Sequence, residues 1–167
     1  MGEKLTRSDV KKIEQEIEHR RLVVRKEALE AVKEARAHGD LSENFEYHAA
    51  KKDKNANESR IRYLERMLKN AQIISDESRP DEVGINDTVV VYCEDDDEEE
   101  TYRLVTSIRG NSLAGLISTE SPIGKAILRH RVGERVTVKV NENYSYDVEI
   151  RSITKTGEED TDQIRRF

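Results

Sequence analysis

With 167 residues, the chain has room for one sizeable domain or two small ones, and it is 38% charged against 35% hydrophobic with no tryptophan. No apolar run approaches the roughly 18 residues of a membrane span, the first residues lack an apolar signal core, and the single Cys93 cannot form an internal disulfide. The expectation is a cytoplasmic protein with no membrane partner, with Cys93 acting as a small buried hydrophobe. Charge divides unevenly: residues 1–74 carry 17 Lys and Arg against 14 Asp and Glu, and residues 75–167 carry 12 against 21. Two parts with different partners are expected.

The first part reads as two helices. Thr6 or Ser8 is placed to cap the first. Apolar or small residues then recur at Ile13, Ile17, Val24, Ala28, Val32 and Ala35, close to multiples of a helical turn. Neither Pro nor Gly interrupts residues 3–38, so the spacing predicts one helix over about 8–37. Gly39 ends it. A second helix is predicted over about 42–74, with its seam at Ile61, Leu64, Leu68 and Ala71. Extended back, that register meets Asn57, Lys54, Ala50 and Tyr47, so the middle of the hairpin is more polar and its far end slender. Thirty residues of helix reach about 45 Å. The polar, tapered arm gives little reason for self-association, and a monomer is expected.

From residue 75 the period changes. Residues 75–81 end the helix and read as a linker containing Pro80. Residues 88–93 and 101–107 read as strands, and the acidic run 94–100 between them as a solvated hairpin loop. Residues 113–118 are a further candidate strand. Ser121 and Pro122 have the pattern of an N-cap and first helical position, opening a helix to about residue 130. Alternating valines at 136, 138 and 140, then Tyr144, Tyr146, Val148 and Ile150, predict a hairpin turning at 141–143. The fold class expected is α+β: an N-terminal antiparallel helical hairpin, then a small, mostly antiparallel sheet with one short helix. The domains expected are 1–75, a linker at 76–82, a sheet domain at 83–154 and a mobile tail at 155–167.

The hairpin turn holds Asp40 and Glu43. Their i, i+3 spacing is that of a capping box at the second helix start. It also places two carboxylates close together at the exposed end of an arm. Magnesium is commonly held by one or two carboxylates plus ligands from elsewhere. Two acids alone would hold it weakly, so a second macromolecule would have to complete the site. His38 and His48 flank the turn, but no third ligand is evident for a zinc-type site.

The run Gly39-Asp40-Leu41-Ser42-Glu43-Asn44-Phe45-Glu46-Tyr47-His48-Ala49-Ala50 resembles the tip motif of the bacterial transcript cleavage factors GreA and GreB. The resemblance continues through Arg60-Ile61 and Leu68-Lys69-Asn70-Ala71-Gln72-Ile73-Ile74, and reappears at Ser121-Pro122-Ile123-Gly124. It covers the chain to about Ile153, and Leu41 with His48-Ala49-Ala50 is closer to GreA. The resemblance implies a coiled-coil arm and an FKBP-like second domain. It implies docking at the secondary channel of bacterial RNA polymerase, with the arm reaching the active centre. Asp40 and Glu43 would help hold the second Mg2+ there, and the polymerase would cleave nascent RNA near its 3′ end. Lys51, Lys52 and Arg60 fall where the family carries a basic patch facing that RNA. Ser121 and Pro122 match a loop used in docking. The factor would supply carboxylates and not be an enzyme by itself. Phe45 stands where alanine is common in the family, and the tail after Ile153 extends past the usual end.

Three alternatives remain at this level, the plainest being a scaffold hairpin with no chemistry at its tip, in which Asp40 and Glu43 serve only helix-end stability. Another is a secondary-channel regulator that binds without stimulating cleavage, against which the intact acids argue. The third is a prolyl isomerase with a helical appendage, against which the absence of Phe and Trp from residues 81–153 argues.

Overall fold

The structure is a computed structural model and describes residues 2–39, 43–156 and 163–164. Asp40 and most of the tail, 157–162 and 165–167, lie outside the described residues. The described residues form two compact units, one built on residues 7–72 and one on residues 3–6 and from 73 onward.

The first unit is an antiparallel helical hairpin, as the spacing predicts. Cross-links run from Glu16 to Arg60, Arg25 to Glu58 and His38 to Glu46, in opposite directions along the two arms. The first arm is not one uninterrupted α-helix. It comprises α1 (Arg7–His19), a π-helical segment (Arg20–Val24) and α2 (Arg25–Ala37). The seam explains the change: Ile13 and Ile17 are buried, but one turn further on stand Arg20 and Arg21. The π turn leaves the Arg20 carbonyl accepting from Arg25 N–H, and the Asn57 side-chain amide donates to the same oxygen at 3.2 Å. An inserted side chain of this kind is a recognised cause of a wide helical turn. Leu22 and Val23 consequently face solvent.

The second arm is α3 (Phe45–Asn70), shorter at its C-terminal end than the predicted 42–74. Ala71 is extended, and the next residues form a strand. The buried residues of α3 are Asn57, Arg60, Ile61, Leu64 and Met67. Met67, rather than Leu68, completes the inner face. The pattern missed this because both side chains are apolar and neighbouring.

The second unit contains β1 (Lys4–Leu5), whose carbonyl at Leu5 accepts from Ile74 N–H at 2.8 Å beside β2 (Gln72–Ile73). Two-residue strands leave no alternation to read, and this ribbon was not anticipated. The main sheet comprises β3 (Thr88–Cys93), β4 (Glu98–Val105), β5 (Leu116–Ser118), β6 (Arg135–Asn141) and β7 (Tyr144–Thr154). Its order is β5-β4-β3-β7-β6. All neighbours are antiparallel except β4 and β5, which are parallel. Two 3₁₀ turns, Ser107–Arg109 and Ser112–Ala114, supply the connection a parallel pair needs.

β3 alternates between buried and half-buried residues as a one-sided strand should. Val89 faces Ile153 and Val91 faces Ile150. Two steps on one strand thus oppose three on the other. The irregularity between Val90 and Val91 absorbs the extra residue and keeps the apolar side chains on the core side. That core holds Val83, Val89, Val91, Leu104, Val138 and Ile150, with Cys93 at its margin as a buried free thiol.

Four boundaries move. Glu98 to Glu100 belong to β4, so the acidic loop contracts to 94–97. The helix α4 (Pro122–Ile127) stops short of residue 130, because Arg129 adopts a left-handed conformation, φ 69°. That turn lets Arg129 N–H donate to the Val83 carbonyl and its guanidinium reach Glu82 and the Glu77 carbonyl. The expected linker is therefore bound to the sheet unit. Lys155, assigned from sequence to the tail, donates to Asp87 at 2.6 Å, the Glu82 carbonyl and Ser78.

Candidate partner-facing tip and docking loop

The geometry at the hairpin end overturns the capping-box expectation for Glu43. The cap of α3 is Asn44, whose side-chain oxygen accepts from Tyr47 N–H at 3.0 Å. Glu43 precedes the cap, is exposed, and has no place in the first helical turn. Asn44 does more than cap: its amide donates to the Ala35 carbonyl on α2 at 2.5 Å. One side chain thus satisfies a free N–H at the start of α3 and a carbonyl at the end of α2. Around it, His38 meets Glu46 at 3.0 Å, and Arg36 stacks over Tyr47, 5.5 Å from the ring centroid. The neighbouring Arg36 guanidinium holds the Tyr47 phenol below its usual range, with nearby lysines adding to the effect against a smaller opposing push from burial.

Sequence reasoning missed Asn44, although its signal was present: asparagine directly before a run of helix formers is a favoured cap. Replacing it gives a direct check. Asn44→Ala is expected to cost about 1–2 kcal/mol in thermal unfolding and to expose Tyr47 N–H to hydrogen exchange. Asn44→Asp keeps the acceptor and should keep Tyr47 protected, while losing the donor to Ala35.

Among the described residues, no group of three or more His, Cys, Asp or Glu side chains is placed to hold a metal ion. Carboxylate oxygens are hard donors of the kind Mg2+ prefers, but two of them fill only part of its octahedral shell. Of the two acids only Glu43 lies among the described residues, and its exposed carboxylate is a donor of that kind.

Lys51 and Lys52 are exposed on α3. Arg60 departs from the expectation that it faces RNA. It is 6% exposed and donates to both carboxylate oxygens of Glu16, at 2.8 and 3.2 Å. Arg20 joins the same carboxylate at 2.7 Å and reaches Asn57. Desolvation pushes the Glu16 carboxyl upward, but hydrogen bonds and charge from Arg60 and Arg20 together outweigh it and leave the group below its usual range. Arg60 is a buried structural cation of the hairpin.

In the second unit, Ser121 caps α4, accepting from Gly124 N–H at 3.1 Å and donating to the Ser118 carbonyl at 2.6 Å. Pro122 follows at the first helical position, exposed. A side chain at residue 124 would bring its first carbon within 2.0 Å of the Ser118 oxygen, so only glycine permits this tight corner. The loop is fixed in shape and open on its Pro122 side.

A helical hairpin with an acidic end and a separate five-stranded sheet unit, carried on one chain, define a two-unit α+β protein. Among the described residues, no helix is long and apolar enough to cross a membrane. The model for the transcription elongation factor N-terminal domain of GreA and GreB matches residues 3–73, and that for the GreA/GreB C-terminal domain matches residues 77–155. Transcription elongation factor GreA from Caldanaerobacter subterraneus is 47% identical over 137 residues, covering 81% of this chain and 87% of the relative. GreA from Streptococcus pneumoniae is 41% identical over 153 residues, covering 91% and 95%. Among solved structures, GreA factor homolog 1 of Thermus thermophilus is similar, with 27% identity, 93% and 100% coverage, and a TM-score of 0.43. The chain belongs to the GreA/GreB family of transcription elongation factors.

Proposed function

We propose that this chain rescues backtracked bacterial RNA polymerase by stimulating cleavage of the nascent RNA near its 3′ end. The sheet unit docks at the rim of the secondary channel through the loop bearing Ser121 and Pro122. The hairpin enters the channel and presents Asp40 and Glu43 to the active centre. Both carboxylates contribute ligands to an Mg2+ ion shared with the polymerase, and that ion supplies activation of water. Lys51 and Lys52 attract phosphates of the extruded RNA. The chain contributes carboxylates to another molecule's catalytic centre and has no cleavage activity alone.

The observation that carries this reading is the position of Glu43. Its carboxylate is exposed and excluded from the helix cap, a task given to Asn44. An exposed acid that does not cap the helix, at the end of the hairpin, is available to a partner. The test is RNA cleavage in a stalled, backtracked elongation complex with Mg2+, with polymerase binding measured in parallel. Acceleration by the chain supports the proposal. Binding without acceleration would make it a channel-occupying regulator instead, and no binding at all would remove polymerase as its partner.

A further inference from the structure

The largest exposed hydrophobic side chain of the hairpin end is unaccounted for by the acids and by docking. Phe45, the first residue of α3, is 87% exposed. It does not stand alone on its face. His48, Ala49, Lys52, Asn55 and Ala56 follow it at three- and four-residue spacing, and all are exposed. This stripe contains no carboxylate. The acids of the same stretch point elsewhere: Glu46 engages His38 across the hairpin, and Glu58 binds Arg25. Asp53 lies about a quarter turn away, at 100° per residue. The outer face of α3 therefore begins with a bare aromatic ring and continues, about 10 Å further along, to an ammonium group.

We propose that Phe45 stacks on a nucleobase of single-stranded RNA running along this face, with Lys52 meeting a phosphate of the same strand. A phenyl ring offers no charge and no hydrogen bond, so its partner must be flat or apolar. A protein-docking aromatic ordinarily sits within a cluster of apolar anchors. The neighbours of Phe45 on its face are instead an imidazole, an alanine methyl and a lysine. An aromatic ring followed by a cation on an acid-free track is the composition of single-strand binding surfaces, where any base supplies a π face. The inference deepens the proposed function, because it takes the extruded 3′ segment of the transcript as the strand.

The test compares wild type with Phe45→Ala, Phe45→Trp and Phe45→Leu in backtracked complexes. The RNA carries either a normal base or an abasic nucleotide in the extruded segment. Phe45 is so exposed that none of these changes should disturb folding. Phe45→Ala and Phe45→Leu should raise the factor concentration for half-maximal cleavage about 10-fold, and Phe45→Trp should not. On abasic RNA the variants and wild type should converge. A second readout needs no cleavage: 2-aminopurine in the extruded segment, without Mg2+, should be quenched by wild type and by Phe45→Trp but not by Phe45→Ala. Full function in Phe45→Leu, or an Ala defect that persists on abasic RNA, would overturn the proposal in favour of a protein contact. Unchanged fluorescence with wild type would overturn it outright. If wild type quenches but does not stimulate cleavage, the stacking stands and the cleavage role falls.

Discussion

Glu43→Gln is expected to reduce stimulated RNA cleavage about 100-fold or more, a loss at least as large as that for removing a supporting ligand of a metal site, while polymerase binding and the fold stay as they are. The substitution separates two roles because glutamine preserves shape and removes charge. In a capping box, Glu and Gln serve alike at the third helical position, so a purely structural Glu43 would tolerate the change. Here the third helical position is Tyr47 and the cap is Asn44, so Glu43 has no cap to lose. The loss is therefore expected at a partner, where the role proposed for this carboxylate is to contribute to an Mg2+ site. Asp40→Asn should act in the same direction. Rates of RNA cleavage at saturating factor, with competition binding to polymerase alongside, check both. Mutants that cleave as well as wild type would return the acids to a passive role.

Glu16→Gln is expected to destabilise the hairpin by about 3 kcal/mol, near the lower end of what breaking a buried pair costs. Arg60 is buried, and Glu16 binds it through both oxygens while also accepting from Arg20. Removing the charge leaves two guanidinium groups facing a neutral amide inside the polar middle of the arm. The pH dependence follows from the lowered carboxyl pKa of Glu16 relative to its ordinary 4.5. A carboxyl depressed in the folded state contributes stability that is complete well above 4.5. That contribution is lost as pH falls from there through the folded value. Wild type and Glu16→Gln should therefore differ most at neutral pH and converge in acid. Thermal unfolding of the full chain by circular dichroism, at neutral pH and at pH 3, checks this. A gap that stays constant with pH would show that packing, not charge, sets the cost. The more exposed Arg25–Glu58 pair, though bidentate at 2.7 and 2.9 Å, should matter far less because water screens it.

Much of this was legible in the sequence because it rested on period. The seam residues of the first arm, Ile13, Ile17, Val24, Ala28, Val32 and Ala35, are all buried or half-buried. The strand at 88–93 and the turn before Tyr144 fall where alternation put them. What escaped was decided by single polar contacts. Nothing in the spacing says that the Asn57 amide will enter the backbone ladder at Arg20, or that Asn44 will reach Ala35. Arg60 illustrates the same limit. An arginine in a helix reads as a solvated cation until its neighbour across the hairpin is known, and that neighbour, Glu16, lies 44 residues away. The parallel pairing of β5 was hidden for a related reason, since three residues carry no information about strand direction. At the tip the acids were visible from sequence, but that Asn44 caps α3 and Glu43 lies before the cap emerged only from the helix boundary.

The most direct test of the central claim is the Mg2+ dependence of RNA cleavage in backtracked complexes, measured for polymerase alone, with wild-type factor and with Glu43→Gln. Carboxylates donated at the active centre should let cleavage saturate at lower Mg2+ with wild type than without it. The Glu43→Gln curve should lie near that of polymerase alone and recover in part as Mg2+ is raised. If wild type and Glu43→Gln both bind and give the same Mg2+ dependence as polymerase alone, the hairpin end does not contribute to an ion site and the account fails at its centre.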